Sequence, residues 1–434
     1  METIYKTETG ELIHGDNIEV METLKDNSVD SCISDFPYNL AFMGKTWDKT
    51  IHFYNWCKAR AEPLHRIIKP GGYVLIFGHP KTNHRMKCAF EDAGFNIVEE
   101  IDWVYGTGFP KNQDIGKLFD KKAGAEREVV GKRVHPTLKN VPKVKSSAYH
   151  VESLDSDKDM ESWNITAPST EQAKTWNGWK TAGLKPAHEP ITVFQKPLEG
   201  TYIQNIEAYG VSGMNIDVCR ISTSQKDKDI INAKSSKNPT TNYSDKDDKI
   251  YGKYAEDKAS PANEIGRFPA NVVFDSYMGE ALDRQSGECF SGSEKYGIDK
   301  DANSCYWTKK EWEQKSPKRA EGKGASRYFL NIDTDEFVPF IYCAKATKKE
   351  KGEGNTHVTV KPKALIKWLI KLVTPINGRT IDITAGSGTH GLSCEELNKD
   401  EGYNLKWINI EMMNTEKDPY CEIAMNRIKE VVNT

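Results

Sequence analysis

Residues 378–389 read GRTIDITAGSGT, an apolar strand pattern that runs into a glycine-rich turn. The helical pattern GLSCEELNK follows the turn, and LKWINIEM then predicts the next strand. Alternating strands and helices are typical of an α/β protein with a mostly parallel sheet. This stretch therefore predicts an α/β unit in which a glycine turn joins a strand to a helix.

The pattern extends outward from this stretch to both ends of the chain. KPKALIKWLIKLVT precedes the unit and DPYCEIAMNRIKEVV closes the chain, and both predict helices. Residues 1–110 alternate in the same way: VDSCISDF, GGYVLIFG and NIVEEIDWVYG predict strands, and HFYNWCKARAEPLHRIIK and TNHRMKCAFEDAGF predict helices. We therefore expect the fold class α/β, with a mostly parallel sheet built from both ends of the chain.

The middle of the chain has a different composition. Residues 225–258 are rich in Lys and Asp and contain no Leu, Val, Phe or Trp, which is typical of a solvated excursion. Residues 111–145 hold ten Lys plus Arg against four acidic residues. This stretch is the most basic patch in the chain and a candidate for contacts with phosphates.

Composition excludes several classes of protein. The 434 residues carry a formal charge of -3, which excludes a uniformly basic protein of the histone kind. No apolar run reaches the roughly 18 to 20 residues of a membrane span, and the N-terminus has no secretion signal pattern. The nine cysteines are scattered without a C-x-x-C pair, so neither a disulfide framework nor a thiolate zinc site is indicated, and we expect no metal site and a reducing cytoplasm.

The tetrapeptide Asp35-Phe36-Pro37-Tyr38 follows a predicted strand, at the edge where α/β sheets bind ligands. It offers a carboxylate, a backbone carbonyl and an aromatic ring. This set suits an exocyclic amino group on a planar base: Asp35 and the Phe36 carbonyl each accept one N–H, and Tyr38 stacks on the ring. On these four residues alone, an ordinary strand-ending turn is the favoured interpretation.

The glycine-rich turn is the second candidate site. Glu411 lies 29 residues after Asp382, at the end of the next predicted strand, where it can accept hydrogen bonds from both ribose hydroxyls. The turn lacks the phosphate-loop pattern G-x-x-x-x-G-K-[ST], which disfavours ATP. A tight turn without a ligand is the alternative, but the spacing of Glu411 favours a nucleoside cofactor.

Two further segments are weaker on their own. Asp16 precedes a predicted helix, and its carboxylate can bind an adenine amino group or serve as an ordinary helix N-cap. Lys361, in HVTVKP, can pair with a carboxylate, although most single lysines are solvated. Neither segment decides the function alone.

In chain order, these segments resemble a known family. GDNIEVMETLKDNSVDSCISDFPY, KPGGYVLIFG, IDWVYGTGFPK, HEPITVFQKP, HVTVKPKALIKWLIKLVTP and IDITAGSGTHG resemble S-adenosylmethionine-dependent DNA amino-methyltransferases of the permuted beta class, above all the phage and prophage adenine enzymes. The resemblance covers most of residues 10–110 and 340–434. It implies a Rossmann-like methyltransferase fold, circularly permuted, with an inserted target-recognition region.

The resemblance also implies roles for individual residues. The catalytic motif is matched by Asp35, Phe36, Pro37 and Tyr38, the cofactor loop by Asp382, Gly386, Gly388 and Thr389, the ribose ligand by Glu411, the adenine ligand by Asp16, and the segment near the methionine end by Thr359 and Lys361.

Two positions depart from the family pattern. The catalytic motif is usually Asp-Pro-Pro-Tyr, and Phe36 replaces its first proline; the cofactor loop commonly begins Asp-Pro-Phe where this chain has DITAGSGT. The family uses the carbonyl at the Phe36 position, so the hydrogen bond survives while one fixed φ is lost. We expect Phe36→Pro to leave activity equal or higher, provided that Phe36 has no packing role that proline cannot fill.

The resemblance further divides the chain and implies its partners. We expect a catalytic half at 1–110, a basic insert at 111–185, a strand of the main domain at 186–197, a target-recognition region at 198–339 and a cofactor-binding half at 340–434. The substrate implied is double-stranded DNA, with no membrane and with a homodimer left open. Trp176, Trp179, Trp307 and Trp312 are candidates for stacking on bases, but burial is the favoured role for most.

The expected reaction is methylation of the exocyclic N6 of adenine. Related N4-cytosine enzymes more often carry Ser at the position of Asp35, which favours adenine here. Two alternatives remain open: methylation of N4 of cytosine, and a DNA-binding relative that no longer catalyses.

Overall fold

The computed structural model describes residues 1–40, 48–106, 112–134, 162–181, 183–223, 263–286, 329–332, 355–357 and 359–433, together with positions 225, 228–229 and 232. Within these residues, ten strands form one sheet and two form a separate hairpin. The strands are β1 Glu2–Lys6, β2 Gly10–His14, β3 Val29–Asp35, β4 Ile68–Phe77, β5 Asn96–Val104, β6 Val129–Val134, β7 Ser162–Thr166, β8 His188–Gln195, β9 Val272–Asp275, β10 Leu330–Ile332, β11 Arg379–Asp382 and β12 Lys406–Glu411.

Ten helices accompany these strands in the described part of the chain. They are α1 Asn17–Thr23, α2 Phe53–Ile67, α3 Asn83–Asp92, α4 Ile115–Lys122, α5 Glu171–Thr175, α6 Tyr202–Tyr209, α7 Ser276–Ser286, α8 Lys363–Val373, α9 Thr389–Glu401 and α10 Tyr420–Asn433.

The large sheet is mixed and mostly parallel, as the sequence predicts. Its order is β1-β2-β12-β11-β3-β4-β8-β5-β9-β10. The five strands β2, β12, β11, β3 and β4 run parallel to one another, and β8 runs antiparallel to both of its neighbours. The two C-terminal strands β12 and β11 therefore lie side by side between the N-terminal strands β2 and β3, and the carboxyl ends of β3 and β11 meet at one edge.

Helices cover both faces of the sheet because successive strand residues point to opposite sides. On β3, Ile33 packs in the cluster that includes Leu369 of α8, and Cys32 packs in the cluster that includes Leu64 of α2. All four side chains are buried. This arrangement is an α/β fold built on a mostly parallel sheet, which confirms the predicted fold class.

The hairpin of β1 and β2 lies at the edge of the sheet, and the sequence pattern does not reveal it. Its burial pattern shows why: β1 has no fully buried residue, and β2 buries only Leu12 and Ile13. An edge hairpin with few buried residues gives a weak alternating signal.

A small subdomain formed by α4, α5 and the β6–β7 hairpin lies between β5 and β8 in the chain. Asp120 is its polar centre and accepts hydrogen bonds from the backbone N–H groups of Ser169 and Thr170 and from Arg127. Although burial raises the pKa of Asp120, these hydrogen bonds lower it to about 2. Arg127 therefore serves this subdomain internally and is not a free cation of the basic stretch.

Two tryptophans of this subdomain differ from expectation. Trp176 and Trp179 form an edge-on pair with ring centres 5.1 Å apart, and their side chains are 38% and 60% exposed. The expectation of burial is wrong for this pair, because the subdomain is too small to enclose two indole rings. Trp307 and Trp312 lie outside the described residues.

Candidate active site

The glycine loop after β11 and the tetrapeptide after β3 are joined side by side at the carboxyl edge of the sheet. Ser34 Oγ donates to Asp382 Oδ1 over 2.6 Å and lies 2.7 Å from Thr384 Oγ1. Thr384 Oγ1 in turn donates to the Asp35 carbonyl over 3.1 Å. These side-chain hydrogen bonds hold the two loops in register although almost 350 residues separate them in the chain.

The glycines of this loop are required by their surroundings. Gly386 has φ +54° and Gly388 has φ +75°, which L side chains rarely adopt. A Cβ at Gly386 would lie 2.8 Å from Nε2 of His357, and a Cβ at Gly388 would lie 2.8 Å from the Cβ of Ala424. The loop therefore needs glycine at both positions in order to lie against α10 and the segment before α8.

A buried arginine supports the same turn from the C-terminal helix. Nη1 of Arg427 donates to the Ser387 carbonyl over 2.6 Å, to Ser387 Oγ over 3.0 Å and to Thr389 Oγ1 over 3.0 Å. The Thr389 hydroxyl is thus already engaged by the protein itself. Sequence reasoning missed Arg427, because one arginine on an amphipathic helix gives no distinguishing pattern.

Glu411 lies beside the glycine loop, as its spacing predicts. Its carboxylate accepts from the backbone N–H of Gly386 over 2.6 Å and of Met413 over 2.7 Å. Burial raises the pKa of Glu411 to about 7, and the backbone hydrogen bonds oppose that shift. Burial also raises the pKa of Asp382 to about 7, against the hydrogen bonds from Ser34 and Thr384.

Asp16 lies at the same edge, because β2 pairs with β12. The backbone N–H of Gly15 donates to the Glu411 carbonyl over 3.1 Å. Asp16 Oδ1 accepts from the backbone N–H of Ile18 over 2.8 Å and caps α1. The structure therefore brings Asp16 next to Glu411 and also gives it the alternative role of a helix cap.

The side chain of Phe36 lies in the core rather than in the site. It is 2% exposed, and its ring lies 5.2 Å from that of Trp56 and 6.0 Å from that of Phe90, measured between centroids. The condition attached to Phe36→Pro is therefore not met. Proline cannot fill this space, so the expectation of equal or higher activity, which depended on that condition, does not apply to this variant.

Asp35 carries the most informative pair of atoms in the site. Its Oδ2 forms an ion pair with Nζ of Lys361, which is 4% exposed. Its Oδ1 is buried and has no hydrogen-bond partner in the described part of the chain. A buried carboxylate oxygen without a donor is costly. Oδ1 is thus a buried acceptor for which the described residues supply no donor.

Lys361 and Tyr38 complete this cluster. Nζ of Lys361 donates to the Tyr38 hydroxyl over 3.2 Å, and that hydroxyl donates to Glu189 Oε2 over 2.7 Å. Burial lowers the pKa of Lys361, and the negative charge of Asp35 opposes that shift. Thr359 lies two residues before Lys361, in the segment that contacts the glycine loop through His357. The structure thus places Lys361 on Asp35, whereas the resemblance implies a place near the cofactor.

Several residues of the site were not predicted. Ser34, Thr384 and Glu189 are polar residues within apolar or strand-like stretches, and only their buried neighbours show their roles. The position of Ser34 just before Asp35 was the one available signal, since a buried hydroxyl needs a partner.

The described residues contain neither a cluster of metal ligands nor a membrane-spanning helix. No group of three or more His, Cys, Asp or Glu side chains could hold a metal ion there. Among the same residues, no helix is both long and apolar enough to span a bilayer.

The family comparison identifies the class to which this fold and the two joined loops belong, the S-adenosylmethionine-dependent methyltransferases. Residues 29–426 match the family model N6_N4_Mtase, described as DNA methylase, and the chain belongs to this family. The cofactor of this family is S-adenosylmethionine. The residues present fit that group, because the two glycines keep the loop free of side chains and Glu411 offers a carboxylate beside it.

Curated relatives match parts of the chain. The type II methyltransferase M.HindIII of Haemophilus influenzae is 21% identical over 245 residues, which cover 47% of this chain and 64% of that protein. M.HpaI of Haemophilus parainfluenzae is 31% identical over 113 residues, which cover 25% of this chain and 36% of that protein. Each match spans less than two thirds of the relative.

Solved structures align with most of the chain, at TM-scores no higher than 0.40. The M1.HpyAVI–SAM complex gives a TM-score of 0.36 at 13% identity and covers 96% of this chain and 99% of its own. The PvuII DNA methyltransferase, which is cytosine-N4-specific, gives a TM-score of 0.40 at 12% identity and covers 99% of this chain and 95% of its own.

Proposed function

We propose that the protein transfers a methyl group from S-adenosylmethionine to the exocyclic N6 of an adenine flipped out of double-stranded DNA. The observation that carries this proposal is Oδ1 of Asp35, a buried acceptor without a donor in the described part of the chain. It lies at the end of β3, directly beside the strand that leads into the glycine loop. An amino group that approaches Asp35 is therefore adjacent to the cofactor edge.

The chemistry of the target defines what the residues must do. An exocyclic amine is conjugated with its ring and paired inside the duplex, so the base must leave the stack at a cost of about a few kcal/mol. The ring of Tyr38 would offset part of this cost by stacking. Asp35 and the Phe36 carbonyl would each accept one N–H, which turns the nitrogen lone pair toward the methyl group.

S-adenosylmethionine supplies an electrophilic methyl group on a sulfonium when it is bound. The protein then contributes position and electrostatics: acceptors that face the nitrogen as it becomes positive stabilise the transition state. The hydrogen bond from Thr384 to the Asp35 carbonyl and the 2.9 Å bond from Thr82 to the Tyr38 carbonyl fix the tetrapeptide from both sides. A direct displacement needs no covalent intermediate.

We assign the cofactor-binding residues from the family resemblance, and the geometry of the glycine loop supports the assignment of Glu411. Glu411 would accept the ribose hydroxyls and Asp16 the adenine amino group, while Asp382, Gly386, Gly388 and Thr389 shape the loop and Thr359 and Lys361 border the methionine end. Gly386 and Glu411 share a hydrogen bond, and Gly15 bonds to Glu411, so three distant segments form one edge.

Glu411→Ala should weaken the binding of S-adenosylmethionine by about 1 to 3 kcal/mol, because hydrogen bonds to a charged carboxylate are lost. Calorimetric titration measures this loss directly. Asp400→Ala, at an exposed carboxylate of α9, is the matched control and should bind like the wild type. Unchanged affinity in Glu411→Ala would exclude Glu411 as the ribose ligand.

We assign DNA-backbone contact to the subdomain of α4, α5 and the β6–β7 hairpin. It leaves the sheet after β5 and returns at β8, and therefore stands at the carboxyl edge that carries Asp35. Lys117, Lys121 and Lys122 are exposed on α4. Residues 135–145 of the basic stretch lie outside the described residues.

Replacing Lys117, Lys121 and Lys122 together by Ala should weaken DNA binding equally on all sequences. The slope of log affinity against log salt should fall in magnitude by up to about 3 units, since each phosphate contact releases about one counterion. Fluorescence anisotropy over a salt series measures the slope. A changed site preference at unchanged affinity would instead make these lysines base readers.

Base recognition is proposed for the region 198–339, most of which lies outside the described residues. The proposal for the reaction itself is tested by incubating the protein with tritiated S-adenosylmethionine and unmethylated genomic DNA, followed by nucleoside chromatography. Label in N6-methyladenine supports it. Label in N4-methylcytosine would shift the substrate to cytosine, and DNA binding without label would identify a silent relative.

A further inference from the structure

Glu189 is a buried carboxylate to which the proposed mechanism assigns no role. It is the second residue of β8, which runs antiparallel between β4 and β5, and it pairs with Trp103 near the carboxyl end of β5. This position places it at the edge of the sheet that carries Asp35. Its side chain is nearly fully enclosed, with 2% of the residue exposed.

Two contacts of Glu189 lead into the candidate active site. Oε2 accepts from the Tyr38 hydroxyl over 2.7 Å and lies 3.7 Å from Nζ of Lys361. Oε1 accepts from the Tyr105 hydroxyl over 3.3 Å. One carboxylate therefore touches both the ring proposed to stack on the base and the ammonium that holds Asp35.

Charge explains why this arrangement is stable. A buried carboxylate is costly unless it is paired and hydrogen-bonded. Here Asp35 and Glu189 share the single ammonium of Lys361, which lies between them and reduces their mutual repulsion. Burial and the neighbouring charge of Asp35 raise the pKa of Tyr38 well above its usual value, so its hydroxyl keeps the proton that it donates.

We propose that Glu189 is a positioning residue for methyl transfer, fixing the Tyr38 ring through its hydroxyl and the Asp35 carboxylate through Lys361. This inference rests on the proposed function. A tyrosine held only at its Cβ can swing about χ1, whereas one held also at its hydroxyl presents its face in one orientation. Without the charge of Glu189, Lys361 would lose the second carboxylate that its ammonium faces, and the side chains of Lys361 and Asp35 could shift.

Two conservative variants test the inference. Glu189→Gln keeps the side-chain volume and one acceptor oxygen but removes the negative charge. Tyr38→Phe keeps the ring but removes the hydroxyl that donates a hydrogen bond to Glu189. Each should lower kcat for methyl transfer to unmethylated genomic DNA by about 10- to 100-fold, the scale of a misplacement of about 1 Å. KM for S-adenosylmethionine should stay unchanged, because neither group belongs to the cofactor edge.

The double variant separates positioning from general stability. If Glu189 acts through the Tyr38 hydroxyl, the double variant should be no slower than the slower single variant, because both remove the same interaction. Glu395→Gln is the matched control. The Glu395 carboxylate also accepts hydrogen bonds from uncharged donors, those of Thr7, Thr9 and Trp407, but it lies at the opposite edge of the sheet. It should lower the thermal midpoint and leave kcat unchanged.

The outcomes distinguish this inference from the proposed function. A wild-type protein that transfers no methyl group to any DNA overturns the proposed function and this inference with it. An active wild type with an equally active Glu189→Gln variant overturns the inference alone. Two further results also overturn the inference. In the first, the losses in kcat of the two single variants add fully in the double variant. In the second, kcat falls only in parallel with the thermal midpoint, as expected for a merely structural role.

Discussion

Asp35→Asn is expected to lower the rate of methyl transfer by at least about 10²- to 10³-fold, the scale for removing one group that stabilises charge in a transition state. The amide removes the negative charge that faces the nitrogen as it becomes positive. The amide also replaces the charged partner of Lys361 with an uncharged group, whose nitrogen can only donate hydrogen bonds. Single-turnover kinetics with tritiated S-adenosylmethionine measure the loss.

Asp30 provides a matched control on the same strand. It lies at the opposite end of β3, is buried, and accepts from Lys69 Nζ over 2.6 Å and from the backbone N–H of Arg379 over 2.5 Å. Asp30→Asn should destabilise the fold and leave the rate per folded molecule intact.

In Asp35→Asn, by contrast, the affinity for S-adenosylmethionine should stay near that of the wild type. A wild-type rate of methyl transfer in Asp35→Asn would remove Asp35 from the mechanism.

Phe36→Pro is expected to destabilise the protein by about 3 kcal/mol or more, the lower end of the cost for emptying a buried phenylalanine site. The phenyl ring that contacts Trp56 and Phe90 is lost, and the smaller proline leaves a cavity between α2 and α3. Urea denaturation should show a lower midpoint at an unchanged slope.

Phe36→Ala separates the two effects of the proline. It empties the same space without fixing φ, so a similar loss of stability is expected in both variants. A Phe36→Pro protein as stable as the wild type would contradict the packing role. If the wild type is inert on DNA and Phe36→Pro is active, the native protein is a binding relative, and the proposed catalysis fails.

Local signals made much of the site predictable. The glycine turn, the acidic residue on the next strand and the tetrapeptide after β3 are each encoded within a few residues, because strand ends and glycine turns leave local patterns. The structure confirms the helices and strands predicted in these segments within a few residues at their ends. The roles of Asp35, Glu411 and Asp16 nevertheless stay predictions, because the structure shows where these side chains lie and not which molecules they bind.

The part of the site that local patterns do not predict depends on contacts between segments that are distant in the chain. Asp16 reaches Glu411 through the β2–β12 register, and Lys361 reaches Asp35 across 326 positions of the chain. Glu189 carries no motif of its own and gains its role only when β8 is placed between β4 and β5. The burial of Phe36 was equally hidden, since a residue just past a strand end can face solvent or core. Periodicity cannot supply such information.

The base modified in a cell tests the central claim most directly. The protein is expressed in a bacterium without its own DNA methyltransferases, and the genomic DNA is sequenced for modified bases, with Asp35→Asn as the matched strain. The account predicts N6-methyladenine at one recurring short sequence with the wild type, and none with the variant. Unmodified DNA from the wild-type strain, or N4-methylcytosine in place of N6-methyladenine, would contradict it.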